Sequence, residues 1–327
     1  MIGNILLSLL ATVLLAPARI AQAQQPRVYS VGLLSLGSTT NAEMMGLRNG
    51  LKEAGYVEGT NLILDIGVAK TYDELRPIVQ SYIERKFDII VGTGASAPLI
   101  AKESTQKVPI VFIGGADPVK AGLVKSMARP EGNLTGVARY RDVEIYGKRL
   151  EVFKEAVPSL RRLTLLYNAR GENPTHLASV RLIQKIAPKF GLKLVEKPIQ
   201  LVADVEETLL RISSETTDGL FPICATIFRD SIEKMAAVAI QKKVALSGCS
   251  PLIVTQLGAL FYYGADTYRL GHRGAWYVDR ILKGAKPQDL PIESPSYFEM
   301  IVNLKTAKQI GLTIPPNVLA RADRVIR

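Results

Sequence analysis

Groups that carry out covalent chemistry are scarce in this sequence. Two histidines occur among 327 residues, His176 and His272, and both fall in stretches that read as helical surface. Neither lies near a serine or cysteine in a nucleophile motif. No Gly-x-Ser-x-Gly, His-Glu-x-x-His or P-loop occurs. Clusters with metal-ligand spacing are absent, and a carboxylate pair of Asp65 with Asp117 is less expected than solvated or capping roles for each. The expectation is a protein with no catalytic residue, no metal and no cofactor.

Other absences narrow the partners. The net charge is +11, yet there is no basic run of five or more and no interleaving of basic and aromatic residues. Nucleic acid is therefore a poor explanation of the charge, which leaves attraction to an anionic membrane surface or to an acidic ligand. No stretch approaches the ~20 uninterrupted apolar residues of a membrane-spanning helix. The one long apolar run, Ile5–Ala16, covers 12 residues and is followed by Pro17 and then Ala21-Gln22-Ala23 before two glutamines. That layout predicts a signal peptide over residues 1–23, although no lysine or arginine precedes the apolar run. No cysteine sits near the cleavage site, so a soluble exported protein without a lipid anchor is expected.

What is present is a long alternation of strand and helix patterns with short linkers, which predicts an α/β fold of parallel sheets covered by helices. The first series has strands at Tyr29–Leu36 and Asn61–Val68 and a helix carrying Met44, Leu47 and Leu51 that stops at Gly55. Thr71 to Glu74 reads as a capping box opening the next helix. Two units follow, FDIIVGTGASAPLIAKEST and VPIVFIGGADPVKAGLVKSM, each with an apolar run, then glycines, then small or acidic residues at an expected helix start. A Pro/Gly-rich turn at Arg129–Asn133 separates these from a second series. Its strands are predicted at Leu163–Asn168, Leu192–Ile199, Gly219–Cys224 and Val244–Cys249, and Asp204 with Glu207 reads as another capping box. Two series of this length mean two similar lobes. Strands at Ala259–Gly264 and Tyr297–Val302 and a helix at Leu270–Leu282 could extend either sheet, so the chain is expected to cross between lobes more than once, leaving a cleft.

Gly92-x-Gly94-x-x-Ala97 after a buried strand, with Asp117 further on, matches a dinucleotide fingerprint. Against it, the motif follows the third strand rather than the first, Pro98 removes a donor near the phosphate position, and an exported protein meets little NAD. A generic small-molecule cleft is the stronger reading. Its candidate ligand-binding residues fall at carboxyl ends of strands: Ser35, Ser38, Thr39, Thr93, Gly94, Ser96, Gly115 and Asp117 in the first lobe, Asn168 and Thr226 in the second. Helix N-termini after Gly94 and Gly115 would add backbone donors suited to a carboxylate. Cys224 and Cys249 end successive strands, and an exported chain permits a disulfide. Two small buried residues near the cleft are the slightly favoured reading.

Three long segments, DPVKAGLVKSMARPEGNLTGV, GKRLEVFKEAVPSLRRLTLLYN and YVDRILKGAKPQDLPIESPSYFEMIVNLKTAKQIGLTIPPNVLARADRVI, with GLKEAGYVEGTNLIL before them, resemble the ABC-transporter substrate-binding proteins of the TrpX type. The resemblance spans about Val28 to Arg327. It implies a type I periplasmic binding fold: two doubly wound parallel-sheet lobes joined by a multi-strand hinge. The expected division is 28–135 plus 260–296 for the N-terminal lobe and 136–259 plus 297–327 for the C-terminal lobe. It also implies a monomer that hands a small, amino-acid-like or aromatic carboxylate solute to an ABC permease. The family's cleft loops correspond to Ser35–Thr40, Thr93–Ser96, Gly114–Asp117 and Asn168–Pro174. The last of these and the stretch from Cys224 to Gln256 depart from the family pattern, so ligand identity transfers least. Two other readings share the α/β pattern: an exported enzyme using Gly92–Ala97 for a nucleotide, and the sensing core of a transcription regulator, which would carry a helix-turn-helix in place of the signal peptide.

Overall fold

The computed structural model describes residues 27–36, 42–94, 96–115, 117–139, 143–170, 174–294 and 296–327, with side chains omitted at 174, 175, 226, 229 and 230. The expected signal peptide, residues 1–23, lies outside the described residues. Three sheets organise the chain. The first has the order β2-β1-β3-β4-β5, from Leu62–Ala69, Tyr29–Leu36, Ile89–Thr93, Ile110–Ile113 and Leu134–Val137, all parallel. The second has the order β7-β6-β8-β9, from Lys193–Ile199, Arg162–Asn168, Gly219–Pro222 and Ala245–Leu246, also parallel.

Parity explains how each sheet is covered. In the first, Val31, Leu33, Ile89, Val91, Val111 and Ile113 face a core shared with α1 (Ala42–Glu53) and α9 (Thr267–Leu282). Their neighbours Leu34, Ile90, Ile110 and Phe112 face the opposite core, shared with α2 (Tyr72–Glu84) and α3 (Ser96–Ser104). Strands buried on both faces have no polar side to show, so IVFI is a continuous apolar run and IIVGT opens with one before its glycine and threonine. The second lobe repeats the scheme. Leu163, Leu165 and Phe221 pack with α4 (Glu144–Ala156) and α5 (Pro174–Ile186), while Leu166, Leu220 and Leu246 pack with α6 (Val202–Arg211) and α7 (Ile232–Gln241). Helix α8 (Pro251–Thr255) closes that face.

The third sheet makes the hinge. Its strands β10 (Phe261–Ala265) and β11 (Phe298–Asn303) pair antiparallel, and β12 (Arg324–Ile326) joins β11 in parallel. β10 starts among second-lobe residues, with Phe261 and Tyr262 buried there, and ends with Ala265 in the first-lobe core. The strand β10 thus carries the chain from the cores of the second lobe to a core of the first. The other crossings follow β5 and precede β11, where Ile292 packs in the first lobe and Met300 in the second. Helices α10 (Leu304–Gln309) and α11 (Pro316–Arg321) finish the second lobe.

Several local expectations need correction. Among the described residues, no helix lies between β4 and β5: residues 118–120 form a turn, so the second expected helix N-terminus is not found there. Helix α2 has Thr71 at its N-cap position without a side-chain bond, and Glu74 instead accepts from the Lys70 amide at 2.7 Å. Asp204 does not open α6. It sits at the third helical position and accepts from the amides of Gln200 and Leu201, at 2.8 and 2.9 Å, while Glu207 pairs with Arg211. A carboxylate there satisfies two otherwise unpaired donors whichever end of the capping box it represents.

Candidate functional site at the carboxyl edges of two sheets

Strands β1, β3 and β4 are neighbours, so the segments leaving their carboxyl ends converge on one edge of the first lobe. Ser35 and Thr93 are both buried there, and the Thr93 hydroxyl donates to the Leu34 carbonyl at 3.4 Å. Gly94 turns with φ +73°, a value that L side chains resist, and its amide donates to the Ile113 carbonyl at 2.9 Å. Gly114 donates to Val137 and Arg139 donates to the Gly115 carbonyl, lacing the ends of β3, β4 and β5 together. Ser96 begins α3 and donates from Oγ to the Tyr72 hydroxyl at 2.6 Å. Ser38 and Thr39 lie outside the described residues.

Asp117 is committed locally. Its Oδ1 accepts from the amides of Val119 and Lys120, at 2.9 and 3.2 Å, and its other oxygen faces Lys120 Nζ at 3.5 Å. Gly92 also has a structural role, because a Cβ there would stand 2.8 Å from the Pro98 nitrogen at the start of α3. The two features that suggested a dinucleotide thus each have an occupation within the fold. The imagined carboxylate pair does not form either, since Asp65 is held by Arg85 in the middle of β2.

In the second lobe, Asn168 ends β6, 9% exposed, and its Oδ1 accepts from the Arg170 amide at 3.0 Å. Thr226 starts the turn after β8, and its side chain lies outside the described residues. Cys224 and Cys249 sit at the same edge, after β8 and β9, and are joined in a disulfide with 5.5 Å between Cα atoms. The favoured sequence reading of two unlinked cysteines was wrong: β8 and β9 are hydrogen-bonded neighbours, which brings the two sulfurs within bonding reach.

Two arginines were not anticipated. Arg139, just past β5 on the first crossing, pairs with the buried Glu43 at the start of α1. Arg149 on α4 is fully buried, donates Nε to the Tyr263 carbonyl at 3.0 Å and Nη1 to Cys224 Sγ at 3.1 Å. Only long-range topology places these groups; the one sequence signal was a charged residue beside an expected hinge. A cavity of about 570 Å³ flanks the crossings, with Asp266, Arg269, Arg273, Glu293 and Tyr297 in its wall. Its charges are largely matched. Arg273 binds Glu293 through two bonds of 2.8 and 2.6 Å, which holds the Glu293 carboxyl below the usual range, and Arg269 lies over the Tyr297 ring.

Comparison with known proteins places this geometry. Residues 34–326 match the family model described as ABC transporter substrate binding protein. A curated relative, the tyrosine-binding protein of Clostridioides difficile (strain R20291), is 26% identical over 268 residues, covering 82% of this chain and 76% of that one. Among solved structures, a conserved domain protein from Vibrio cholerae is 30% identical with a TM-score of 0.80, over 91% of this chain and all of the other. A domain from Streptococcus pneumonia solved in complex with L-Trp has the same TM-score and coverage at 22% identity. Among the described residues, no helix is long and apolar enough to cross a membrane.

Proposed function

We propose a function from one premise: this chain belongs to the ABC transporter substrate binding protein family. Its fold is that of the type I periplasmic binding proteins. On our reading it takes up a small amino-acid-like solute, an aromatic amino acid foremost, between the carboxyl edges of its two parallel sheets. It then presents the closed form to a membrane permease outside the cytoplasm. No bond is made or broken in that cycle.

The observation that carries this reading is the placement of Ser35, Thr93, Gly94, Gly115 and Asp117 on one sheet edge and Asn168 on the edge of the other sheet. Ligands of open α/β sheets bind outside the carboxyl ends of the strands. Glycine turns after β3 and β4 bring backbone within reach of a solute, and the amino end of α3 adds donors of partial positive charge that suit a carboxylate. The three crossings supply a hinge on which the lobes can close. The tyrosine-binding relative and the L-Trp complex favour an aromatic amino acid.

Isothermal titration of the chain freed of residues 1–23 tests the reading, with tyrosine, tryptophan, phenylalanine, non-aromatic amino acids and NAD as ligands. Saturable binding of one amino acid is expected. Failure of every amino acid to bind, or binding of NAD, overturns it.

A further inference from the structure

The largest fully buried side chain of the described residues is a cation, Arg149. A guanidinium withdrawn from water costs several kcal/mol unless a counter-charge repays it. Among the described residues, no carboxylate pairs with Arg149, and its Nη2 has no hydrogen-bond partner. Among the described residues, what the group touches is neutral: the Tyr263 carbonyl on β10, the rings of Tyr146 on α4 and Tyr262 on β10 at 5.0 and 6.0 Å, and Cys224 Sγ at 3.1 Å. Of these, one atom can acquire a full negative charge under ordinary conditions. It is the sulfur, and it does so when the disulfide opens.

We propose that Cys224–Cys249 is a thiol-exchange site whose co-substrate is a low-molecular-weight thiol, with Cys249 the sulfur attacked and Cys224 the sulfur that leaves. An incoming thiolate bonds to Cys249 Sγ as the S–S bond breaks, and the bonding pair departs on Cys224 as a thiolate held by Arg149. A second thiolate then attacks the mixed disulfide at its outer sulfur and leaves Cys249 as a thiolate. Two thiols are oxidised to one disulfide, and the protein takes up two electrons. Direction follows from leaving-group ability, because the sulfur with the lower thiol pKa leaves faster. A neighbouring cation lowers that pKa. Both cysteines are partly exposed at the carboxyl edge of the second sheet, so the bond is within reach of a small molecule. Arg149, fully buried, donates directly to Cys224 Sγ, so its charge bears most closely on that sulfur.

The experiment uses the folded oxidised protein and reduced glutathione. Reaction is quenched with acid and free thiols are alkylated, and peptide mapping then locates the adduct. Glutathione on Cys249 with Cys224 alkylated is expected; glutathione on Cys224, or no exchange, overturns the proposal. A second measurement does not depend on replacing the buried arginine. In Cys249→Ser the alkylation rate against pH reports the Cys224 thiol, which should titrate below the ~8.5 of an ordinary cysteine. Titration at or above that value sinks the proposal. If Arg149→Met folds, its exchange equilibrium with glutathione should shift at least tenfold toward the disulfide, about 30 mV for a two-electron couple. An unshifted equilibrium would count against Arg149.

Discussion

Gly271 lies directly against the Glu43 carbonyl: a Cβ on Gly271 would stand 1.7 Å from that oxygen. The contact joins two helices 228 positions apart in sequence, α9 and α1, whose seam also includes Gly46 against the Tyr268 carbonyl. Backbone cannot retreat as a side-chain tip can. Gly271→Ala should therefore force the helices apart and destabilise the chain by about 3 kcal/mol or more, at the upper end of overpacking costs. Urea unfolding followed by circular dichroism checks this; a midpoint within error of wild type would show the seam to be compliant.

Glu43 and Arg139 tie the start of α1 to the first crossing, with Glu43 only 3% exposed. Removing one partner of a buried pair leaves the other charge uncompensated, at roughly 3–5 kcal/mol. Arg139→Met should thus cost more stability than the double change Arg139→Met with Glu43→Gln. Thermal unfolding of the single and double variants decides, and equal losses would mean the pair is not coupled.

Asp117 separates two roles by charge. Asp117→Asn keeps an oxygen to accept from the Val119 and Lys120 amides, so folding should change by well under the ~1 kcal/mol of a lost cap. If the carboxylate meets the ammonium of an amino-acid ligand, affinity should fall at least tenfold. Titration of both Asp117→Asn and Asp117→Ala reads this out. An unchanged dissociation constant in both would restrict Asp117 to shaping the turn.

Glu299 on β11 sets a pH dependence. Burial, reinforced by Asp266 and Asp323 and opposed by Arg324, pushes its carboxyl from 4.5 up to about 7. Between those values the folded chain holds a proton that the unfolded chain has released. Its contribution to stability is therefore full below about pH 4.5 and declines as pH rises to about 7. Glu299→Gln should remove this decline and raise stability near neutral pH. Urea unfolding across that range tests it, and a wild-type slope retained in the variant would exclude Glu299 as the source.

Most of the frame was readable because burial on both faces writes itself as uninterrupted apolar runs, as in Ile110–Ile113 and the first three residues of Ile89–Thr93. Short strands left too little pattern. Leu134–Val137 contains a threonine and a glycine, and Thr135 is buried only because its hydroxyl donates to the Leu290 carbonyl far along the chain. β9 has two residues. The strand-end positions of the candidate residues were legible, whereas the partners of Arg139 and Arg149 depend on segments 96 and 75 residues away. The disulfide was open for the same reason: adjacency of β8 and β9 decides it, and no local signal carries adjacency.

The threefold passage of the chain between lobes has a consequence for its biosynthesis. Helix α9 covers the face of α1, and residues 267–282 emerge only after the whole second sheet has been made. The first lobe is therefore incomplete for most of translation, with Leu47 and Leu51 lacking their cover. A ribosome-bound or translocating chain truncated near residue 260 should stay protease-sensitive throughout its amino-terminal half, and resistance should arrive abruptly once α9 is released. Late completion of its earliest part leaves the nascent chain unlocked until α9 is released.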